Sequence, residues 1–128
     1  MKVLVCGSRD WDDALLLFGE CSRLVDEYRR EILHESHAPV LVMHGDSCRA
    51  DIWADAWAQI EEHEHRRFPA LWRVNGVYNP RAGFERNVEM LGHKPDLVIA
   101  FQKNESGGTQ HTIDEARKRG IPVEVISA

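Results

Sequence analysis

Four short, mainly apolar runs, three of them unbroken, constrain this chain more than any other feature of it. Residues 2–6 (KVLVC) stop at Gly7 and residues 40–44 (VLVMH) at Gly45. Residues 97–101 (LVIAF) run into a polar loop containing glycines, and residues 123–126 (VEVI) form the fourth run. Runs that do not alternate apolar with polar suit strands of a parallel sheet covered on both faces. Helical spacing fills the gaps. Leu17, Cys21, Leu24, Tyr28 and Ile32 recur every three or four residues, behind Asp10, Asp12 and Asp13 at the start of that helix. Carboxylates there favour the positive end of the helix dipole. A second helix is expected over 48–62, with Ala50, Ala54, Trp57, Ala58 and Ile60 inward. A third is expected over 80–91, with Phe84, Val88 and Leu91 inward. The fourth is expected over 109–119, with Ile113 and Ala116 inward and Gly120 as its stop. A weaker strand over 67–71 contains Pro69, which places it at an edge or ends it.

The resulting order, β-α-β-α-(β)-α-β-α-β, calls for right-handed crossovers and a doubly wound sheet. The expected fold is α/β: a single three-layer α/β/α domain over 1–128 with about five mostly parallel strands. Its 128 residues suffice for one core without staples. Lys+Arg is 16 and Asp+Glu is 21, so the net charge is 16 − 21 = −5, which argues against non-specific nucleic-acid binding. Three cysteines without Cys-x-x-Cys spacing argue against a disulfide framework or a zinc knuckle. No run is long enough to cross a membrane, and a cytoplasmic location is expected.

In such sheets ligands bind beyond the carboxyl ends of the strands, so the loops that follow strands carry the functional reading. The first is Gly7-Ser8-Arg9-Asp10-Trp11. Its glycine permits a tight turn, its amides open toward a helix start, and Arg9 can pair with phosphate. Asp10 either meets a ribose hydroxyl or caps the helix. It is neither a Gly-x-Gly-x-x-Gly nor a Walker loop. The second is His44-Gly45-Asp46-Ser47-Cys48-Arg49-Ala50-Asp51, where Ser47 or Asp46 either caps the helix or touches a ligand. The third holds Gly107-Gly108-Thr109, whose amides can wrap a phosphate, Thr109 being alternatively an N-cap.

Seven histidines do not have metal-ligand spacing. His63 and His65 fall in a polar run, 61–67, that reads as a solvated helix end. His44 ends a strand at the ligand edge and is either a satisfied core histidine or a contact. His111 in the fourth helix is either solvated or facing the site. Cys6 reads as a small core residue. Trp53 and Trp57 read as packing residues, whereas Trp11 and Trp72 are placed to stack on a base. Residues 72–80 read as a loop and partial lid.

Several of these pieces together carry a resemblance. Gly-Ser-Arg-Asp-Trp after the first run, His-Gly-Asp with a following Ala-Asp after the second, Arg86-Asn87-x-Glu89-Met90, and Gly108-Thr109 after the third resemble the YspA-type branch of the SLOG superfamily. These are Rossmann-like proteins related to the "lonely guy" phosphoribohydrolases and to the Rossmann domain of DprA. The resemblance implies a nucleotide or nucleotide-derived ligand and no obligate cofactor. It implies ligand contact for Gly7, Ser8, Arg9, Gly45, Asp46, Asp51, Arg86, Asn87, Gly108 and Thr109. Homodimers or larger homo-oligomers are expected by the same analogy. The family's Arg-Gly is Cys48-Arg49 here. Aligning Gly108-Thr109 with the hydrolases' glycine-rich motif puts Thr112 where they carry the catalytic glutamate. Asn104, Glu105 and Ser106 then stand in place of its proline and first glycines.

The leading expectation is therefore a protein that binds a nucleoside phosphate or an ADP-ribose- or NAD-type molecule, with no metal and no assigned catalytic residue. The alternatives are an N-glycosidic hydrolase, in which Glu85, Glu89 or Asp46 replaces the missing glutamate, and a DprA-like module for protein or single-stranded DNA.

Overall fold

In the computed structural model, residues 1–104 and 106–127 are described. The four apolar runs become the strands β1 (Lys2–Gly7), β2 (Leu41–His44), β6 (Leu97–Gln102) and β7 (Val123–Ser127). With β3 (Glu64–Arg67) they form a five-stranded sheet in the order β3-β2-β1-β6-β7, every neighbouring pair parallel. Alternate residues of β1 serve opposite layers. Val3 and Val5 face a core shared with Leu17, Cys21 and Val25 of α1 (Ala14–Tyr28) and Ala54 and Trp57 of α2 (Arg49–Ile60). Leu4 and Cys6 face Met90 and Leu91 of α3 (Ala82–Gly92) and Ile113 and Ala116 of α4 (Gly107–Lys118). Helices on both faces make the three-layer α/β/α Rossmann-like architecture. No described helix is long and apolar enough to cross a membrane.

Several expectations need correction. The edge strand lies at Glu64–Arg67 rather than 67–71, and all four of its residues are exposed. An edge strand holds its place by backbone pairing with one neighbour, so it needs no apolar run. Phe68 still donates its amide to the His44 carbonyl, at 2.9 Å, and Pro69 ends the ladder. The supposed helix end at 61–67 is therefore partly strand. The supposed loop at 72–80 holds a two-stranded antiparallel hairpin, β4 (Arg73–Val74) and β5 (Val77–Tyr78). Asn75 and Gly76 both have positive φ, 52° and 79°, as a tight two-residue hairpin turn requires.

The first helix ends at Tyr28 in a π-helical turn, Arg29–Leu33. Its wider winding breaks the 3.6-residue register, and Ile32 is exposed rather than inward. Ile60, Phe84 and Val88 are also exposed. The buried face of α3 is Ala82, Asn87, Met90 and, as expected, Leu91. Gly107 and Gly108 form the first turn of α4, not a loop before it. Gly120, at φ 70°, stops that helix as expected.

Candidate functional site

A cleft of about 830 Å³ lies beyond the carboxyl ends of β1, β2 and β6, within the usual size for small-ligand sites. It sits where strand order reverses, β1 being flanked by β2 on one side and β6 on the other. Gly7, Ser8, Arg9, Asp10, Gly45, Asp51, Arg86, Asn87, Gly107, Gly108 and Thr109 all line it. Three other expected contacts do not. Trp11 is packed against Phe101 in the core, with ring centroids 5.3 Å apart. His44 is buried behind the loop, and Asp46 is exposed outside the lining.

Of the three expected anion loops, two are already occupied by the protein's own groups. In the first, the Ser8 amide donates to the Phe101 carbonyl at 2.9 Å. The Ser8 hydroxyl accepts from the Lys103 amide at 2.7 Å and donates to the Lys103 carbonyl at 3.1 Å. Ser8 therefore ties β1 to β6 and has no donor left for a phosphate. Asp13 caps α1 by accepting from the Leu16 amide at 2.9 Å, so Asp10 is not the cap. A Cβ on Gly7 would stand 2.6 Å from the Ala50 Cβ and 2.7 Å from the Phe101 carbonyl oxygen. That glycine is needed where β1, α2 and β6 converge.

In the second loop, the Asp51 carboxylate accepts from the Ser47 amide at 3.0 Å and hydroxyl at 3.2 Å. The Asp46 amide donates to His44 Nδ1 at 3.1 Å. The Arg49 amide donates to the Arg9 carbonyl at 3.3 Å. Cys48 stands at the N-cap, its sulfur within 3.5 Å of the Gly7 carbonyl. Burial, then the Asp51 charge, push the Cys48 thiol up to about 12. Burial, with Asp51 second, also pushes the Cys6 thiol well above its ordinary range. Neither sulfur is a poised nucleophile.

The third loop differs. Ser106 precedes α4 without a side-chain cap. The Gln110 amide is the first to enter the helical ladder, donating to Ser106 at 2.8 Å. The amides of Gly107, Gly108 and Thr109 thus belong to the open first turn. The Thr109 residue is only 3% exposed, and its hydroxyl has no partner among the described residues. Buried hydroxyls are rarely left so.

Arg86 crosses from α3. It donates through Nη1 to the Gly45 carbonyl and, at 3.3 Å, to that of Phe68, and through Nε to Asn87 Oδ1 at 2.9 Å. A Cβ on Gly45 would overlap Nη1, so this glycine serves close approach of the guanidinium. Arg9 and Arg49 also line the cleft, are exposed, and have no ion-pair partner among the described residues. Against these three arginines stand Asp10, exposed and 3.9 Å from Lys103 Nζ, and the tethered Asp51.

Sequence reasoning missed Arg49, Phe84 and Ser106, all of which line the cleft, as does Trp72, the tryptophan expected to stack on a base. It also missed the support beneath it. His44 Nε2 lies 2.7 Å from Asp55 Oδ2, and Arg67 Nε lies 3.0 Å from the same oxygen. Gln59 donates to the other oxygen. Because His44 Nδ1 accepts from Asp46, its proton sits on Nε2 and points to Asp55. The Arg67 guanidinium, and after it the His44 and Gln59 donors, hold the Asp55 carboxyl well below the usual carboxylate range, against the opposing effect of burial. An aspartate recurring at i+4 from Asp51 on the inward side of α2 is the only signal in the sequence for this cluster.

Fold and site together describe a small Rossmann-like α/β protein with a partly basic cleft at the switch point of its sheet. Over residues 1–74 the chain matches the family described as YAcAr: YspA, cpYpsA-related SLOG family, and it belongs to that family. It is also 36% identical over 124 residues to the Gene 61 protein of Mycobacterium phage D29, covering 95% of this chain and 93% of that one. No solved structure matches it significantly.

Proposed function

We propose that the cleft binds a phosphate-bearing nucleotide or nucleotide derivative, of the nucleoside phosphate, ADP-ribose or NAD type. The observation that carries this reading is the start of α4, where an uncapped, glycine-containing first turn meets the unpartnered hydroxyl of buried Thr109. An anion there would take the free amides, the helix dipole and that hydroxyl together. Arg86, Arg9 and Arg49 supply positive charge on the other walls. Membership of the SLOG family supports a nucleotide-related role at this coarse level.

Binding without cleavage is the better-supported form. The Thr112 hydroxyl donates to the Gly108 carbonyl of its own helix at 3.3 Å and has no acid–base function. Glu85, Glu89 and Asp46 are outside the lining, and Glu85 accepts from Asn79 at 2.8 Å. Glu105 lies outside the described residues. Thermal-shift and calorimetric titration with AMP, ADP, ATP, NAD, ADP-ribose and cyclic nucleotides test the reading, with Arg49→Ala as the charge variant. The Arg49 side chain has no ion-pair partner among the described residues, so a weaker shift in the variant reads ligand contact rather than damage. Absence of any shift across the panel overturns the proposal.

A further inference from the structure

We infer that Trp72 and the β4–β5 hairpin form the base-stacking wall of this cleft, so that its ligand is held by a nucleobase as well as by phosphate. This rests on the phosphate-binding reading above. The hairpin fixes the indole. The Asn79 amide donates to the Trp72 carbonyl at 2.7 Å, and the Trp72 and Tyr78 rings stack at 6.3 Å with 17° between planes. Gly83 in the first turn of α3 completes the seat. A Cβ there would come within 3.3 Å of Trp72 Cη2 and 3.5 Å of Cζ2, so the glycine lets the indole lie close against the helix.

The same Cβ position is 4.0 Å from Arg86 Nη2. The indole edge and the guanidinium are therefore neighbours on one wall. Trp72 stays 39% exposed and lines the cleft, in contrast to Trp11 and Trp57, each 1% exposed in the core. Phe84, tilted over His111 at 4.4 Å, and Ile52 of α2 extend the exposed apolar lining.

Inorganic phosphate or a sugar phosphate would satisfy the α4 turn and leave Trp72, Phe84 and Ile52 in water. A ligand with an aromatic base covers them. Base–aromatic stacking is sequence-tolerant and, from alanine substitution, accounts for about a tenfold change in affinity or more.

The test uses ligand pairs that carry the same phosphates and differ in the base: AMP against ribose 5-phosphate, and ADP against pyrophosphate. Calorimetric titration is run on the wild-type chain, Trp72→Ala and Trp72→Phe, with circular dichroism to verify folding. The expected result is that at least one nucleotide binds about tenfold or more tighter than its base-free partner. Trp72→Ala should bring the pair together, and Trp72→Phe should keep most of the difference, because a phenyl ring still stacks. Equal binding within both pairs overturns the base subsite and leaves the phosphate site standing. A base preference that survives Trp72→Ala overturns the assignment to Trp72. If no member of either pair binds, the inference falls, and the reading beneath it falls with it when ATP, NAD, ADP-ribose and cyclic nucleotides fail to bind as well.

Discussion

Thr109 illustrates how one atom separates a binding role from a structural one. Its hydroxyl is buried without a partner among the described residues, which costs stability in the free protein. Thr109→Val keeps the shape and removes the orphan group. The expected outcome is a variant as stable as the wild type or more so, by up to about 1 kcal/mol in urea unfolding. The same variant should bind nucleotide about tenfold or more weakly, since a hydrogen bond to a charged group contributes about 1.5–3 kcal/mol. A merely structural threonine would give the opposite stability change. Gly45 makes a second residue-scale prediction. Gly45→Ala forces the Arg86 guanidinium off two carbonyls and should destabilise by about 1–3 kcal/mol, read as a lower urea midpoint. Both glycines after the first two strands were legible as special positions. Their reason was not: each admits a close neighbour, and contacts that distant in sequence leave no local pattern. Ser8 and Trp11 show the same limit. A serine after a glycine reads as a phosphate contact until its strand neighbour claims it, and a loop tryptophan reads as exposed until Phe101 covers it.

At the scale of elements, β2 and α2 are joined beneath the cleft by the His44–Asp55–Arg67 cluster, which reaches the β2–α2 loop through the Asp46 amide. Asp46 itself sits at φ 52°, a backbone state that this hydrogen bond helps to hold. Asp55→Ala leaves the buried His44 without its acceptor and should cost about 2–4 kcal/mol, measured by chemical unfolding at neutral pH. The pH dependence has a defined sign. The folded Asp55 value is depressed, so the stability it contributes is fully present above the unfolded carboxylate value of about 4. It is lost as pH falls below that toward the lower folded value. Wild type should lose stability more steeply than Asp55→Asn between about pH 4 and pH 2, and parallel curves would remove Asp55 from this account.

The three core strands β1, β2 and β6 and the four helices could be read from apolar runs and helical spacing, because burial in a layered sheet writes itself into those patterns. What could not be read depended on backbone geometry instead. The exposed edge strand Glu64–Arg67 has no apolar signature, and the π-helical turn that exposes Ile32 looks helical in sequence. The hairpin is a different case, since Asn75-Gly76 between Val74 and Val77 is a recognised hairpin signal that reading the segment as a loop passed over.

Across the whole molecule the cleft lies between two layers that meet mainly through the sheet. The layer of α1 and α2 packs on Val3 and Val5, and the layer of α3 and α4 on Leu4 and Cys6. Strand order was not legible, because nothing local in residues 97–102 says that this strand returns beside β1 rather than beyond β3. Yet that return creates the cleft, bringing the start of α4 opposite the start of α2. A nucleotide that spans from the Thr109 turn to Trp72 and the arginines would tie both layers to the sheet edge. At 100 times its dissociation constant it should add about 2.7 kcal/mol and raise the melting midpoint by several degrees. Amide exchange should slow in the first turn of α4 and in residues 45–49 together. Residues 93–96, at the opposite end of the strands, should respond only through global stability. Protection confined to the first turn of α4 would show an anion at one helix start. Protection on both sides of the switch point would show a ligand that uses the cleft as one site, as the arginines from the loop after β1, from α2 and from α3 imply.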